Sequence, residues 1–262
     1  PPVTENERLV CAAVAAVLRR DAVGVDQDFF QLGGDSILAI SLLSALREAG
    51  LHVTARQIFT NSVVGALAAV ADREAAAVDH GDVATGTVVG SPIVQWLGGT
   101  TDAIDGFVQS VVLNTPANLT ADALDAVLTA VVARHDMLRA KLVRGERWSF
   151  EIPEADRAAA RWQESDRPLD ECVALATDGL DPADGVMLRA VWRREARQLV
   201  LVAHHVVIDG VSWRILMEDL STAWRWYVSG APIDLPPVGT SFRRWTQLLA
   251  RAGFDADRAH YR

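Results

Sequence analysis

Two short stretches of this chain hold side chains whose type and spacing suit covalent or proton chemistry. In Asp28-Phe29-Phe30-Gln31-Leu32-Gly33-Gly34-Asp35-Ser36-Ile37 a serine stands at the head of an apolar, helix-spaced run, one residue after two glycines. Glycines let the backbone turn tightly, which exposes the Ser36 hydroxyl, and a helix N-terminus favours a phosphate placed on it. Taken alone, the same serine also reads as a helix N-cap. The second stretch is His204-His205-Val206-Val207-Ile208-Asp209-Gly210, two histidines at a strand end followed by an acid and a glycine. Imidazole takes up and releases protons near neutral pH. Asp209 can orient a ring or enter a structural ion pair, and Gly210 permits a sharp turn. One buried structural histidine beside one surface histidine is the plain alternative.

The elements predicted around Ser36 form a small all-α bundle. Thr4-Glu5-Asn6-Glu7 is a capping box, after which Leu9, Val10, Ala13, Val14, Val17 and Leu18 recur at helical spacing. Residues 21–34 carry Val23, Val25, Phe29, Phe30 and Leu32, too apolar for solvent, and are expected to pack back on the helices. A second helix begins at Asp35-Ser36, where either side chain can cap it, and runs through Leu38, Leu42, Leu43 and Leu46 to a stop at Gly50. A helical turn around Ile58 and a last helix, capped by Ser62 and holding Val64, Leu67, Ala68 and Ala71, complete a four-helix bundle over 1–77. Residues 78–90 lose all periodicity and read as a linker.

From 91 to 262 the pattern is that of an α+β domain. It predicts a strand at 107–113, an amphipathic helix at 120–135, paired strands at 137–143 and 147–152, and a hairpin of 186–193 with 198–203. The histidine pair follows that hairpin and precedes an amphipathic helix through Trp213, Leu216, Met217, Leu220, Trp224 and Tyr227, stopped by Gly230. Glu218 and Asp219 on this helix are expected to face solvent.

At 262 residues the chain exceeds a typical domain of about 100 to 200, in keeping with two units. A formal net charge of -9 repels phosphates and anionic lipid, which excludes nucleic-acid and membrane-surface roles. Cys11 and Cys172 lie far apart without nearby ligands and read as small buried hydrophobes of a reducing, cytoplasmic protein. His80, His135 and His260 show no ligand spacing either, so no metal is expected. Pro1 to Asn6 is polar, which predicts no signal peptide, and no stretch is long and apolar enough to span a membrane.

The first stretch matches the motif DxFFxLGGxS at Phe29, Phe30, Leu32, Gly33, Gly34 and Ser36, with Gln27 standing where the motif has its aspartate and Asp28 beside it, and from Glu5 to about Ala76 the chain resembles the peptidyl carrier domains of nonribosomal peptide synthetases. The resemblance implies that a phosphopantetheinyl transferase attaches 4'-phosphopantetheine to Ser36, with Gly34 and Asp35 beside the arm. It also implies partner contacts at Ile37, Ile40 and Ser41, although Ile37 and Ile40 read equally well as core. Asp35 gives the GGDS form, which is similar to carriers that precede epimerization domains.

The second stretch matches the HHxxxDG motif of the condensation superfamily, and its continuation Val211-Ser212-Trp213-Arg214 looks like the form found in epimerization domains. Ser91-Pro92-Ile93-Val94-Gln95-Trp96 resembles that family's opening PIxxW-type motif, with Leu97 departing where an aromatic is common, and Arg134-His135-Asp136-Met137-Leu138-Arg139 resembles its RHDxLR segment. Residues 91–262 are therefore similar to the N-terminal lobe of an epimerization domain, with a chloramphenicol-acetyltransferase-like fold.

By that resemblance His205 is the proton-transferring residue facing a channel, supported by His204, Asp209, Gly210, Arg134 and Arg139, with Asp209 paired to Arg134 or Arg139. An aminoacyl or peptidyl thioester held on Ser36 would lose its α-proton and regain it on the opposite face, the isomerase step of an epimerization module. Two-faced exchange calls for two acid/base groups. In the family the second is a glutamate from a second lobe, which this chain is expected to lack, so it reads as a fragment with an apolar face turned to that lobe. The implied partners are the transferase, an upstream adenylation domain, the remaining lobe and a downstream condensation domain. Two other readings stay open: a condensation domain in which His205 assists attack of an amine, and a carrier and docking module without catalysis.

Overall fold

In the computed structural model, which describes residues 1–73, 82–101, 103–236 and 238–251, the chain divides into two units, Pro1–His80 and Gly81–Arg262. The predicted end of the bundle near Ala77, the start of the predicted linker, His80 and His260 lie outside the described residues.

Thr4 and Glu7 close the expected capping box at the head of α1 (Glu5–Val17). Three further helices follow in this unit, α2 (Ser36–Glu48), α3 (Ala55–Thr60) and α4 (Val64–Val70). Val10, Val14, Leu42, Leu46 and Ile58 meet in its core, each side chain removed from water contributing about 1.5 to 3 kcal/mol. The connection before α2 packs as expected, with Val23 and Phe29 buried and Val25, Phe30 and Leu32 set against the core. Cys11 is buried there as a free thiol. Ser62 does not cap α4, whose N-cap is Val63 without a side-chain bond. Its hydroxyl donates to Asp28 Oδ2 instead, because the backbone at Asp28 pairs with Val63 and brings the carboxylate within reach.

The second unit is built on two sheets. β1 (Gly86–Val89), β3 (Lys141–Val143) and β4 (Ser149–Ile152) form an antiparallel sheet in the order β1-β4-β3. The stretch expected to be linker thus holds a strand, Val88 of which is buried against Phe150 and Ile152. β2 (Val108–Asn114), β5 (Trp162–Glu164), β6 (Leu188–Arg193) and β7 (Gln198–His204) form the larger sheet in the order β2-β7-β6-β5, antiparallel except for β5 against β6. α6 (Ala121–Arg134) and α8 (Gly210–Ser229) cover one face of it through Leu124, Leu128 and Leu216 on Leu199 and Leu201. α7 (Leu169–Asp178) covers the other, with Cys172 and Ala176 on Val200 and Val202. Covered on both sides, β7 reads as an unbroken apolar run, as a central strand should. α5 (Pro92–Thr100) and α9 (Phe242–Arg251) complete the unit.

Two expectations are corrected by packing. Residues 136–139 form a 3-10 turn rather than the start of a strand. Arg139 draws them back, its guanidinium donating to the carbonyls of Val132, Ala133 and Pro153 at 3.2, 2.8 and 3.0 Å and to Asp136 Oδ1 at 2.6 Å. Two of those carbonyls belong to the last turn of α6, where acceptors lack helical partners. Asp219 does not face solvent as expected, because α8 packs on α6 and sets its carboxylate 2.6 Å from His135 Nε2. Among the described residues no helix is long and apolar enough to cross a membrane.

Candidate functional site

The approach to Ser36 is organised by Asp28. Its Oδ1 accepts from the N–H groups of Phe30 and Gln31 at 2.9 and 3.0 Å, and Oδ2 from Ser62. The Ser62 bond first, then the Gln31 and Phe30 amides, hold this carboxyl below its ordinary range against the opposing pull of desolvation. Phe29 is turned into the core, and Phe30 stacks on Phe59 at 5.3 Å. Gly33 takes a φ of 102°, a conformation that suits glycine. Gly34 is fixed by space, since a Cβ there would lie 2.5 Å from the Phe29 ring and 2.6 Å from its carbonyl oxygen.

At the head of α2 the capping residue is Asp35, whose Oδ1 accepts from Ile37 N and Leu38 N at 2.9 and 2.7 Å. Ser36 is therefore not the cap. It is the first residue of the helix, exposed, and among the described residues no group is hydrogen-bonded to its hydroxyl. These residues fit a phosphopantetheine arm: among the described residues the oxygen that would carry it makes no hydrogen bond, so esterifying it breaks none there. Gly34 and Asp35 shape the turn and the cap, and the Ile37 and Leu38 amides already serve Asp35 rather than a phosphate. Ile37, Ile40 and Ser41 are half-buried and stand outside the core formed by Ala39, Leu42 and Leu46.

In the second unit, the register Val108↔His204 puts Phe107, Gln109, Ala203 and His205 on one face of the β2-β7 pair and His204 on the other. His205 N–H donates to the Phe107 carbonyl at 2.8 Å, and the Phe107 ring stacks on the imidazole at 4.7 Å. His205 Nδ1 lies 2.7 Å from the Ile208 carbonyl oxygen, and Nε2 lies 3.1 Å from Gln109 Nε2. The ring lines an apolar cleft of about 620 Å³, with Ile93 and Trp96 of α5, Phe107, Val207 and Trp245 of α9 around it.

His204 is 1% exposed, with Nε2 donating to the Ile104 carbonyl at 3.1 Å and Nδ1 accepting from Val206 N–H at 3.3 Å. Desolvation, opposed by the Ile104 bond, pushes its pKa below the ordinary 6.5. On unfolding, the ring recovers that ordinary value. Between 6.5 and the lower folded value the unfolded chain therefore binds more protons, so stability is full above pH 6.5 and falls as pH is lowered. Every one of the 8 tryptophans lies in the second unit, so tryptophan fluorescence follows its unfolding alone. Its thermal midpoint should drop on acidification, and the drop should shrink in His204→Gln; an equal drop in that variant would remove His204 as the cause.

Asp209, expected to pair with Arg134 or Arg139, pairs with neither. Its Oδ1 accepts from Val211 N and Ser212 N at 3.0 and 2.8 Å and from Ser212 Oγ at 2.7 Å, closing a capping box on α8 that starts at Gly210. Desolvation raises its carboxyl, but the Ser212 and Val211 bonds prevail and hold it below the ordinary range. Such a cap is worth about 1 kcal/mol. Arg134 donates to the Leu235 carbonyl, and Arg139 holds the end of α6. Asp209 thus orients the helix that follows the histidines, while both arginines act at α6. Phe107 and Gln109, which touch His205, carry no mark of this role in the sequence; their one signal is a strand whose register with the histidine strand has to be known.

A bundle with a free serine hydroxyl at a helix start, joined in one chain to a lobe with an imidazole on an apolar cleft, defines a carrier unit followed by a chloramphenicol-acetyltransferase-like lobe. The model of the family "Phosphopantetheine attachment site" matches residues 8–71, and that of the family "Condensation domain" matches residues 100–260. The chain belongs to the condensation-domain family and carries, ahead of that domain, a carrier domain whose cofactor is covalent 4'-phosphopantetheine.

Similar proteins include chondramide synthase cmdD of Chondromyces crocatus, 31% identical over 95% of this chain. A linear gramicidin synthase of Brevibacillus parabrevis is 33% identical over 89% of it. The chain spans 7% and 5% of the length of these two relatives. Among solved structures, the epimerization domain from the third module of tyrocidine synthetase B matches 67% of this chain and 43% of its own, at 22% identity and a TM-score of 0.59, a likeness of fold.

Proposed function

We propose that this chain serves nonribosomal peptide synthesis, carrying an aminoacyl or peptidyl group on Ser36 and inverting its α-carbon from L to D with His205 as a proton-transferring group. The observation that carries the reading is His205 Nε2, the ring nitrogen that is not bonded to the Ile208 carbonyl, set on an apolar cleft in a chain that also presents the unbonded Ser36 hydroxyl. The arm, when bound, supplies a flexible thiol that holds the acyl group as a thioester. His205 takes or returns the proton on the face of the α-carbon turned toward it. Phe107 and the Ile208 carbonyl hold the ring in place, and Trp96, Val207 and Trp245 give the cleft around it apolar walls. His204, Asp209 and Gly210 keep the strand end and the helix start in register.

The GGDS run and Val211-Ser212-Trp213-Arg214 favour inversion over bond formation. The synthase relatives support a multi-unit assembly as the setting, with a phosphopantetheinyl transferase, an adenylation domain, the domain's second lobe and a downstream condensation domain as partners in the cytoplasm. Ile37, Ile40 and Ser41 offer the carrier's contact face. A condensation reading, in which His205 assists attack of an amine, is favoured by the family description over 100–260.

One experiment separates these readings. The full-length protein, loaded on Ser36 with an aminoacyl arm in deuterated water, should take solvent deuterium into the α-position. Amide formation without exchange would establish condensation, and neither outcome would leave a carrier and docking role.

A further inference from the structure

Gln109 has no place in the function proposed above, yet it stands between Trp213 and His205. The indole N–H of Trp213 donates to Gln109 Oε1 at 3.0 Å. An indole nitrogen can only donate, so the amide oxygen must face Trp213 and the amide NH2 must face His205. Gln109 Nε2 lies 3.1 Å from His205 Nε2, and an amide nitrogen can only donate. The ring nitrogen opposite it must therefore be the acceptor. At the other side of the ring, the Ile208 carbonyl 2.7 Å from Nδ1 can only accept, so Nδ1 carries the proton. Trp213, Gln109, His205 and Ile208 form one chain of donors and acceptors that closes with a single assignment.

We propose that Gln109 is a positioning residue that, together with the Ile208 carbonyl, fixes the tautomer of His205, keeping Nε2 unprotonated at the cleft. The register makes this possible, since Gln109 opposes Ala203 on β7 and lies diagonally across from His205 on the same face, while Trp213 descends from the first turn of α8. The contrast with His204 underlines the need for a partner. That ring carries its proton on Nε2, held by the Ile104 carbonyl, so adjacent histidines are locked in opposite tautomers. A base that presents the wrong nitrogen in protonated form cannot accept the substrate's proton, and at metal-binding histidines the loss of such orienting partners costs about 10- to 100-fold.

The inference rests on the reading of His205 as proton-transferring, but its test does not. The protein, labelled with 15N at its histidine rings and with the His205 signals identified by their loss in His205→Gln, is observed at about pH 8, where an imidazole is ordinarily neutral. The parent protein should show a protonated Nδ1 and a bare Nε2. Gln109→Leu, which leaves the Ile208 carbonyl alone to hold the proton on Nδ1, should admit a minor population of the Nε2-protonated tautomer. In the nearly isosteric Gln109→Glu a carboxylate, which only accepts, faces the ring, and the bare-Nε2 signal should vanish. Trp213→Phe, which frees the amide to flip, should fall between. Unchanged His205 signals in both Gln109 variants would overturn the proposal. In the exchange assay Gln109→Leu should turn over about 10- to 100-fold more slowly with KM little changed. If His205→Ala retained exchange, the reading of the reaction would fail while the tautomer result stood.

Discussion

Ser36→Ala should gain no mass when treated with a phosphopantetheinyl transferase and coenzyme A, while the parent chain gains a single arm. The effect is all-or-none because the variant lacks the oxygen that forms the phosphodiester. It is also interpretable, because the cap of α2 is Asp35 and the Ser36 hydroxyl makes no bond that the fold would miss. Alanine is a good helix former, so the variant should melt within about 0.5 kcal/mol of the parent, as expected for a surface change away from special features. Intact-mass measurement decides the matter, and an arm found on the variant would place the attachment elsewhere.

His205→Ala should slow α-proton exchange of the loaded protein by about 10²- to 10⁴-fold, the usual worth of a positioned general acid or base. The backbone bond from residue 205 to the Phe107 carbonyl survives the substitution, as do the capping box on α8 and the buried His204. A loss of that size would therefore be chemical rather than a collapse of the lobe. Deuterium incorporation followed by mass spectrometry, with folding checked by tryptophan fluorescence, measures it. A loss below about 10-fold would remove His205 from the proton-transfer step.

What could be read in the sequence was what depends on near neighbours. The capping box at Thr4, the glycine turn before Ser36 and the β7 run ending in His204 each sit within a few residues, and each forms as expected. What could not be read depends on partners brought close by folding. Ser62 has the chemistry of a cap, but Asp28, 34 residues earlier, takes its hydroxyl. Asp219 looks solvent-facing on its own helix until α6 brings His135 against it across 84 residues. Residues 137–143 alternate like a strand, yet Arg139 finds four acceptors near the end of α6 and pulls the first of them into a turn. Gln109 is an ordinary polar residue in a strand, and only the 104-residue link to Trp213 gives its amide a direction. Short elements such as β1 and β5 carry too little pattern to stand out, and their pairing partners define them.

The separation of duties at the head of α2 also bears on how the carrier signals its state. Asp35 secures the helix and Ser36 holds the reactive oxygen, so attaching an arm leaves the cap of α2 in place. A modification with no differential interaction with the conformations of its host shifts no population among them. The bundle is therefore expected to behave as a handle and not as a sensor. A neighbour that must tell a charged carrier from an empty one has to read the arm and its cargo directly, and the fold presents the same face to every visitor.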